Sequence, residues 1–472
     1  MLVKHFFLEK IAHSSYILAG KGTCAVVDPR RDVDIYIEEA RALGVRITHI
    51  LQTHLHADFV SGHMDLAEKT GARIYVAKSA GCDFNHVPLV EGDTIRIEQL
   101  LLKVLETPGH TPEHLCYVVT DTSRGDAPVG VFTGDTLFVG DVGRPDLFPD
   151  QARELADRLY HSLHDKVLKL PDYCEVYPAH GAGTLCGRSL AAKWVSTIGY
   201  ERRFNAALLI PEKEAFIRSL TSDMPPAPDH FSRCSEINRK GPNLVRKLPV
   251  LEALKPGQFR DRMADPETVV LDTRSYTSFA SIHIPDVWHL DLDGNFPIFT
   301  GWVMSPEKDI ILVADNFEDA VRARTWASRV GIDRMVGFLE GGMSAWVTSG
   351  ERSSDIQLLS AEELHDMVSG DSNMILVDVR ASLEFAGNHI EGAVNIPTPD
   401  LRTRFPELDP DKTVVVICSS GNRASLAASI LKQHGFKDVR NVAGGMTGYS
   451  AAGYTRECPV CVIPHGSRYV EG

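Results

Sequence analysis

No run of apolar residues in this chain is long enough to cross a bilayer, which argues against a membrane role. No large cluster of Lys and Arg is present either, and a formal charge of -14 leaves no basic field to hold a nucleic acid. The opening residues MLVKHFFLEKIAHSSYILAG lack the basic start, continuous apolar stretch and cleavage site of an export signal. Their alternation suggests a strand, and a cytoplasmic protein is expected. Nine cysteines, an odd number among 472 residues, are too sparse for a disulfide framework and fit a reducing compartment.

What is present is enough material for several cores, because one hydrophobic core rarely serves a chain of this length. The first 200 or so residues alternate strand-like runs (CAVVD, ITHILQT, ARIYV, VGVFTGD, CEVYPAH) with helix-like segments such as VDIYIEEARALG, a layered α/β pattern. The proline-rich MPPAPD, followed by KGPN and KPG, predicts a connector and a boundary near 250. Beyond it VVLDTRSYTSFASIHIPDVWHLDLD and ILVDVRASLEFAGNHIEGAVNIPTPD repeat one another, and EGGMSAW answers AGGMTGY. Three domains are expected, at 1–250, 251–352 and 353–472, the last two a tandem repeat.

Candidate ligands cluster at the ends of the predicted strands. THLHADF carries His54, His56 and Asp58, TPGHTPEH carries His110 and His114, FTGDTLF carries Asp135 and YPAHG carries His180. Strand ends that converge on one sheet edge can bring such imidazoles and carboxylates to a cation. The order HLHAD, GHT, TGD, PAHG resembles the signature of the metallo-β-lactamase superfamily, whose αββα sandwich the first domain is therefore expected to adopt. In the two-metal hydrolases of that superfamily, the matches of His54, His56 and His110 hold one ion. The matches of Asp58, the next residue and His180 hold the second, and that of Asp135 bridges them. Here the next residue is Phe59, which has no lone pair to offer, so a single ion is expected.

His54, His110 and Asp135 then make two histidines and one carboxylate, a set that favours Fe(II). The arrangement resembles the persulfide dioxygenases, the iron-dependent branch that oxidises a low-molecular-weight thiol persulfide with O2 and water to sulfite and thiol. By that resemblance His56, Asp58 and His180 orient ligands or substrate. DVGRPDL is similar to that branch's Gly-Arg-x-Asp segment by the substrate pocket, which implies substrate contacts from Arg144 and Asp146 and a carboxylate or phosphate on the carrier as partner for Arg144. Cys186, close after His180 in the sequence, is a candidate sulfur relay.

In the last repeat the strand TVVVI runs into CSSGNRAS and a helix-like segment. Backbone N–H groups of such a loop stabilise a thiolate at Cys418; small Ser419, Ser420 and Gly421 let them converge, and Arg423 adds positive charge for an anionic donor. Together with VDVR and NVAGGM this resembles a rhodanese domain, which passes sulfane sulfur through a cysteine persulfide. The loop has four residues between Cys and Arg, whereas the related phosphatase loop has five, and that favours sulfur over phosphate. In the middle repeat Ala314 stands opposite Cys418 and Asp319 opposite Arg423, so that copy is expected to be a spacer or docking domain. Cys458 and Cys461 form a lone CxxC and stay unassigned.

The expectation is an α/β chain with an N-terminal metallo-β-lactamase sandwich followed by two α/β rhodanese domains, holding one Fe(II). It would couple persulfide oxidation to sulfur transfer in sulfide detoxification. The competing expectation is a zinc thioester hydrolase of glyoxalase II type with sulfurtransferase modules, and a third is a sulfur-carrier or sulfide-sensing scaffold without turnover. The thiol carrier (glutathione, coenzyme A or another), the product (sulfite or thiosulfate), direct transfer between the sites and a homo-oligomeric state stay open.

Overall fold

Strand His13–Ala19 is buried along its whole length, and its alternation assigns its two faces to different cores. Tyr16 and Leu18 point into a core shared with a second sheet, whereas Ile17 and Ala19 pack with Tyr36 and Leu66, on the helices Asp34–Ala42 and His63–Thr70. A strand apolar on both faces belongs inside a layered fold. The computed structural model of the chain, which describes residues 1–455 apart from 189, 223, 225, 226, 371 and 372, shows those layers.

Two compact units are present, one of Met1–Leu248 with Ser328–Gly331 and one of Pro249–Ala327 with Ile332–Gly472. The first holds two six-stranded sheets. One runs in chain order through β1 (Leu2–Leu8), β2 (His13–Ala19), β3 (Thr23–Val27), β4 (Arg46–Leu51), β5 (Arg73–Ala77) and β6 (Val87–Leu89). The other comprises β7 (Thr94–Ile97), β8 (Leu100–Glu106), β9 (Leu115–Asp121), β10 (Gly130–Gly134), β11 (Glu175–Pro178) and β12 (Ser196–Thr197). Leu115, Tyr117 and Val119 of β9 face the first sheet, and Cys116 and Val118 face the outer layer with Leu159 and Phe216. Helices Ala152–His161 and Lys213–Thr221 carry those last two residues, which completes an αββα sandwich. The stretch after MPPAPD, expected as a connector, is the helix His230–Lys240, and it folds with this unit by burying Phe231 and Cys234.

The second unit holds two five-stranded sheets of one topology. In β13 (Glu252–Leu254), β14 (Thr268–Asp272), β15 (Trp288–His289), β16 (Asp309–Val313) and β17 (Met335–Leu339) the order is β13-β17-β16-β14-β15. In β18 (Gln357–Leu359), β19 (Met374–Asp378), β20 (Val394–Asn395), β21 (Thr413–Ile417) and β22 (Val439–Val442) it is β18-β22-β21-β19-β20. All pairings are parallel, as expected of strands joined by helical crossovers. The repeat reaches side-chain detail. Arg274 grips Asp272 with Nε and a terminal nitrogen and bonds the Ile282 carbonyl, and Arg380 repeats this with Asp378 and the Asn388 carbonyl. These forks tie each strand end to the following helix.

The register places Asp272 beside Val313 and Asp378 beside Ile417, so Ala314 and Cys418 follow equivalent strand ends. Among the described residues, no helix is long and apolar enough to cross a membrane.

Candidate functional site

Asp28, His54, His110, Asp135 and His180 each lie just beyond the end of a strand: β3, β4, β8, β10 and β11. β3 and β4 are parallel, as are β10 and β11, so these ends share an edge of their sheets. Gly134, at φ 49°, makes a close approach: a Cβ there would lie 2.5 Å from His114 Nε2 and 2.7 Å from Thr53 Oγ1. Only glycine fits both the backbone and the space.

His54, His110 and Asp135 bring one ligand atom each within 4.8 Å of one another, all fully buried. Asp135 Oδ2 is 3.2 Å from His110 Nε2 and 3.8 Å from His54 Nε2. Those same three atoms are buried without a hydrogen-bond partner. Buried polar atoms are rarely left so, and three converging on one point fit a metal ion.

The surrounding bonds set the tautomers that such an ion needs. Thr53 Oγ1 donates its proton to Asp28 Oδ2 at 2.8 Å, so it accepts from His54 Nδ1, also at 2.8 Å. His110 Nδ1 donates to the Arg144 carbonyl at 2.8 Å. Both rings therefore present an unprotonated Nε2 to Asp135. Burial, and then neighbouring histidines, hold His54 well below the usual imidazole range. His110 is also lowered by burial, against the pull of Asp135.

His114 is not part of this group. Its Nε2 accepts from the Asp135 backbone N–H at 2.9 Å, so it fixes the bridge to Asp135 from behind. His56 stands apart as well, with Nε2 3.1 Å from Asp28 Oδ1 and its ring against Phe59.

His180 lies between two carboxylates, with Nδ1 2.8 Å from Asp135 Oδ1 and Nε2 2.8 Å from Asp58 Oδ2. Burial opposes its charge, but Asp135 and Asp58 overcome burial and raise its pKa well above the usual value. Both ring nitrogens of His180 thus face carboxylate oxygens beside the three-ligand group. Asp58, His180 and Cys186 form a second group of ligand atoms within 4.8 Å, yet both His180 nitrogens are already engaged. Burial, followed by Asp58 and Asp135, pushes the Cys186 thiol well above its ordinary range. Phe59 is fully buried, 4.0 Å from the His13 ring, where it packs as a core side chain.

Arg144, expected as a partner for a carboxylate or phosphate on the carrier, is buried. Its Nε and Nη2 each meet Asp146 at 2.7 Å, and Nη1 donates to the Leu185 carbonyl. This buried fork on Asp146 braces the loop whose carbonyl orients His110.

Several contributors carry no motif. Asn238 donates to the carbonyls of His56 and Phe59 and accepts from the Ser61 N–H, each at 2.8 Å, so one amide pins the HLHADF loop. Glu113 accepts from the Leu55 N–H. Asp28 stands at φ 50°; an acid closing the apolar run CAVVD was the one signal for it.

In the last repeat Gly421 N–H donates to Cys418 Sγ at 3.1 Å. Arg423 is buried against Glu384, with Nη1 to Oε2 at 2.7 Å and Nη2 to Oε1 at 2.9 Å. Its Nη2 also donates to Ser419 Oγ at 2.8 Å, and Ser419 in turn reaches Glu384. The arginine charge is therefore already matched inside the protein, and its hydrogen bonds hold the loop. Ser420 lies in the same turn, before the helix Asn422–Gln433. Cys458 and Cys461 fall outside the described residues.

Comparison with known proteins agrees with both halves. The family profile described as Metallo-beta-lactamase superfamily matches residues 9–180, and that described as Rhodanese-like domain matches 255–349 and 360–452. Persulfide dioxygenase ETHE1, mitochondrial, of Mus musculus is 30% identical over 239 residues, 49% of this chain and 85% of the mouse protein. The chain belongs to the metallo-β-lactamase superfamily and carries two rhodanese-like domains. A crystal structure of a metallo-beta-lactamase from Staphylococcus aureus matches this superfamily member with TM-score 0.65 at 32% identity, covering 72% of this chain and 98% of that one. Hydroxyacylglutathione hydrolase of Rhodospirillum rubrum is 37% identical over 164 residues, 34% of this chain and 57% of the hydrolase. The superfamily's fold and the converging His and Asp side chains agree on a metal centre in the first domain.

Proposed function

We propose that the chain is an iron-dependent persulfide dioxygenase with an attached sulfurtransferase, acting in sulfur metabolism. The observation that carries this reading is the set of unpartnered atoms on His54, His110 and Asp135, two imidazoles and one carboxylate with no fourth protein ligand among the described residues in the group. An Fe(II) held there supplies the redox chemistry that lets ground-state dioxygen react with sulfur. The likeness to ETHE1 persulfide dioxygenase supports the same substrate class.

The overall step balances as RSSH + O2 + H2O giving RSH, sulfite and two protons. The S–S bond breaks, and the four electrons lost by the terminal sulfur pass to dioxygen. The chain's own contribution is geometric and electrostatic. Thr53 and the Arg144 carbonyl hold the two ligand rings, and His180 bridges Asp58 and Asp135, where it can hold a proton beside the three-ligand group. His56 and Asp58 belong to this supporting layer. Asp146 acts through Arg144. The relay expected of Cys186 needs its thiolate, which burial and two carboxylates oppose, and the reading does without it.

At Cys418 the thiolate attacks the outer sulfur of a persulfide. A new S–S bond forms, the old one breaks, and the donor leaves as its thiol with no net oxidation. The Gly421 N–H steadies the sulfur, and Ser419, Arg423 and Glu384 keep the loop in place. Tethering both activities on one chain raises the local concentration of each one's substrate for the other. Single-turnover assays of Cys418→Ser test that coupling: an altered sulfite-to-thiosulfate ratio is expected, and an unchanged ratio contradicts it.

The second reading, a zinc thioester hydrolase of glyoxalase II type, is favoured by the Rhodospirillum rubrum relative. Metal content after anaerobic purification, measured with thioester cleavage, separates the two. Iron without thioester turnover is expected; zinc with rapid turnover overturns the dioxygenase.

A further inference from the structure

Cys418 is fully buried, yet sulfur transfer requires a donor to touch its sulfur. What lies over the loop therefore decides what can react. One residue that reaches this loop comes from the domain that has no nucleophile. Both rhodanese-like domains fall in one compact unit, and Tyr276, at the start of the helix Tyr276–Ser281, lies on the Cys418 loop. A Cβ built on Gly421 would be 2.9 Å from both Cε2 and Cζ of the Tyr276 ring. The Tyr276 hydroxyl accepts from the Gly444 N–H at 3.3 Å, which spans the ring from the nucleophile loop to the Gly-Gly-Met turn. Its backbone N–H is anchored by Asp291 Oδ2 at 3.1 Å.

Beside this ring the two domains come closer still. A Cβ on Gly294 would be 3.1 Å from Asn422 Nδ2, and the gap between Asp291, Phe296, Asn422 and Arg423 is a cavity of about 20 Å³. Such a space holds one water and no thiol carrier. Asn295, which also lines it, is buried with neither amide atom hydrogen-bonded, as expected of a small wet seam. That flank is too small to admit a thiol carrier, and Tyr276 stands on the same loop.

We propose that Tyr276 is a specificity-determining wall of the Cys418 site, favouring small sulfur nucleophiles and donors over thiols of tripeptide size. The domain without a nucleophile is then a working part of its neighbour's site. The inference rests on the sulfur-transfer reading of Cys418. The ring is held by one long hydrogen bond and by contact with a glycine, so it can swing away without breaking the core. In the transfer itself, the acceptor's sulfur attacks the outer sulfur of the Cys418 persulfide, the internal S–S bond breaks, and the Cys418 thiolate is regenerated.

The test uses the full chain as wild type, Tyr276→Ala and Tyr276→Phe. Modification of Cys418 by methyl methanethiosulfonate and by pyrenylmaleimide is followed by peptide mass. Because thiol reactivity depends on access, Tyr276→Ala should raise the maleimide rate about tenfold and the small reagent's rate less than about threefold. Tyr276→Phe keeps the ring and should match wild type. In steady state Tyr276→Ala should lower KM for glutathione as acceptor, with kcat and the KM for 2-mercaptoethanol little changed. Equal effects on both reagents, no effect on either, or a Tyr276→Phe variant that behaves like Tyr276→Ala would overturn the proposal. If Tyr276→Ala fails to fold by circular dichroism, Tyr276→Leu carries the same comparison. Failure of wild-type Cys418 to take up sulfane sulfur would sink the transfer reading alone, since the alkylation ratios do not depend on it.

Discussion

Glu384 holds Arg423 by both carboxylate oxygens, at 2.7 and 2.9 Å, with both side chains buried. An arginine beside a nucleophile invites the reading of an anion receptor, but this one is neutralised by its own domain. Removing one member leaves the other charge stranded. Glu384→Gln should therefore lower stability by about 3 kcal/mol or more, and sulfur loading of Cys418 should fall with it. Urea unfolding and intact mass after persulfide treatment check both effects.

Gly445 stands at φ 54°, and a Cβ there would be 2.2 Å from the Cys418 carbonyl oxygen and 2.7 Å from the Ser419 carbonyl carbon. Gly445→Ala must displace the nucleophile loop. A loss of more than about 2 kcal/mol is expected, together with slower alkylation of Cys418 than in wild type. A variant with wild-type stability would show that the turn yields easily.

Thr53 relays Asp28 to His54 through its single hydroxyl. Thr53→Val breaks that relay and leaves His54 free to take the wrong tautomer. Metal affinity should fall about 10- to 100-fold while sulfur loading of Cys418 stays at the wild-type level. Chelator competition measures the first, and mass spectrometry the second.

Burial lowers the pKa of His63 and His230 to about 3 and that of His289 to about 4. In the unfolded chain each takes up a proton near 6.5. Protons therefore bind preferentially to the unfolded state between these values, and stability falls as pH drops from about 6.5 toward 4. Each histidine contributes a slope of about 1.4 kcal/mol per pH unit in that window. Urea midpoints at pH 7 and pH 5 should differ in that direction; equal midpoints would mean that other groups compensate.

Ala314 follows β16 as Cys418 follows β21, so the middle domain offers the backbone position without the thiol. Asp315, Glu318 and Asp319 follow it and disfavour a thiolate there. Ala314→Cys in a Cys418→Ser background should not restore sulfur loading, and a gain of one sulfur at residue 314 would show that geometry alone suffices.

How much of this was legible beforehand follows the range of each interaction. The layered α/β pattern and the tandem repeat could be read because alternation, Asp-x-Arg and Gly-Gly-Met are local patterns, whereas the sandwich was implied by the resemblance that HLHAD, GHT, TGD and PAHG carry. The candidate ligands could be named because each follows a strand end, with a glycine beside Asp135 and His180. Asn238 could not, since it acts on a loop 182 residues away by one amide, and nothing in HFSRCSEINRK marks it. Glu384 and Tyr276 were hidden for the same reason. Arg144 shows the opposite case: a motif named the residue, but its fork onto Asp146 is a matter of side-chain direction, which no spacing encodes.

The most direct test is oxygen uptake by the anaerobically purified protein loaded with Fe(II) and given a low-molecular-weight thiol persulfide. The account predicts one dioxygen consumed for each sulfite formed, with uptake abolished in Asp135→Asn and absent from the zinc-loaded protein. No uptake by the iron form, with glutathione thioester cleavage by the zinc form, would contradict it.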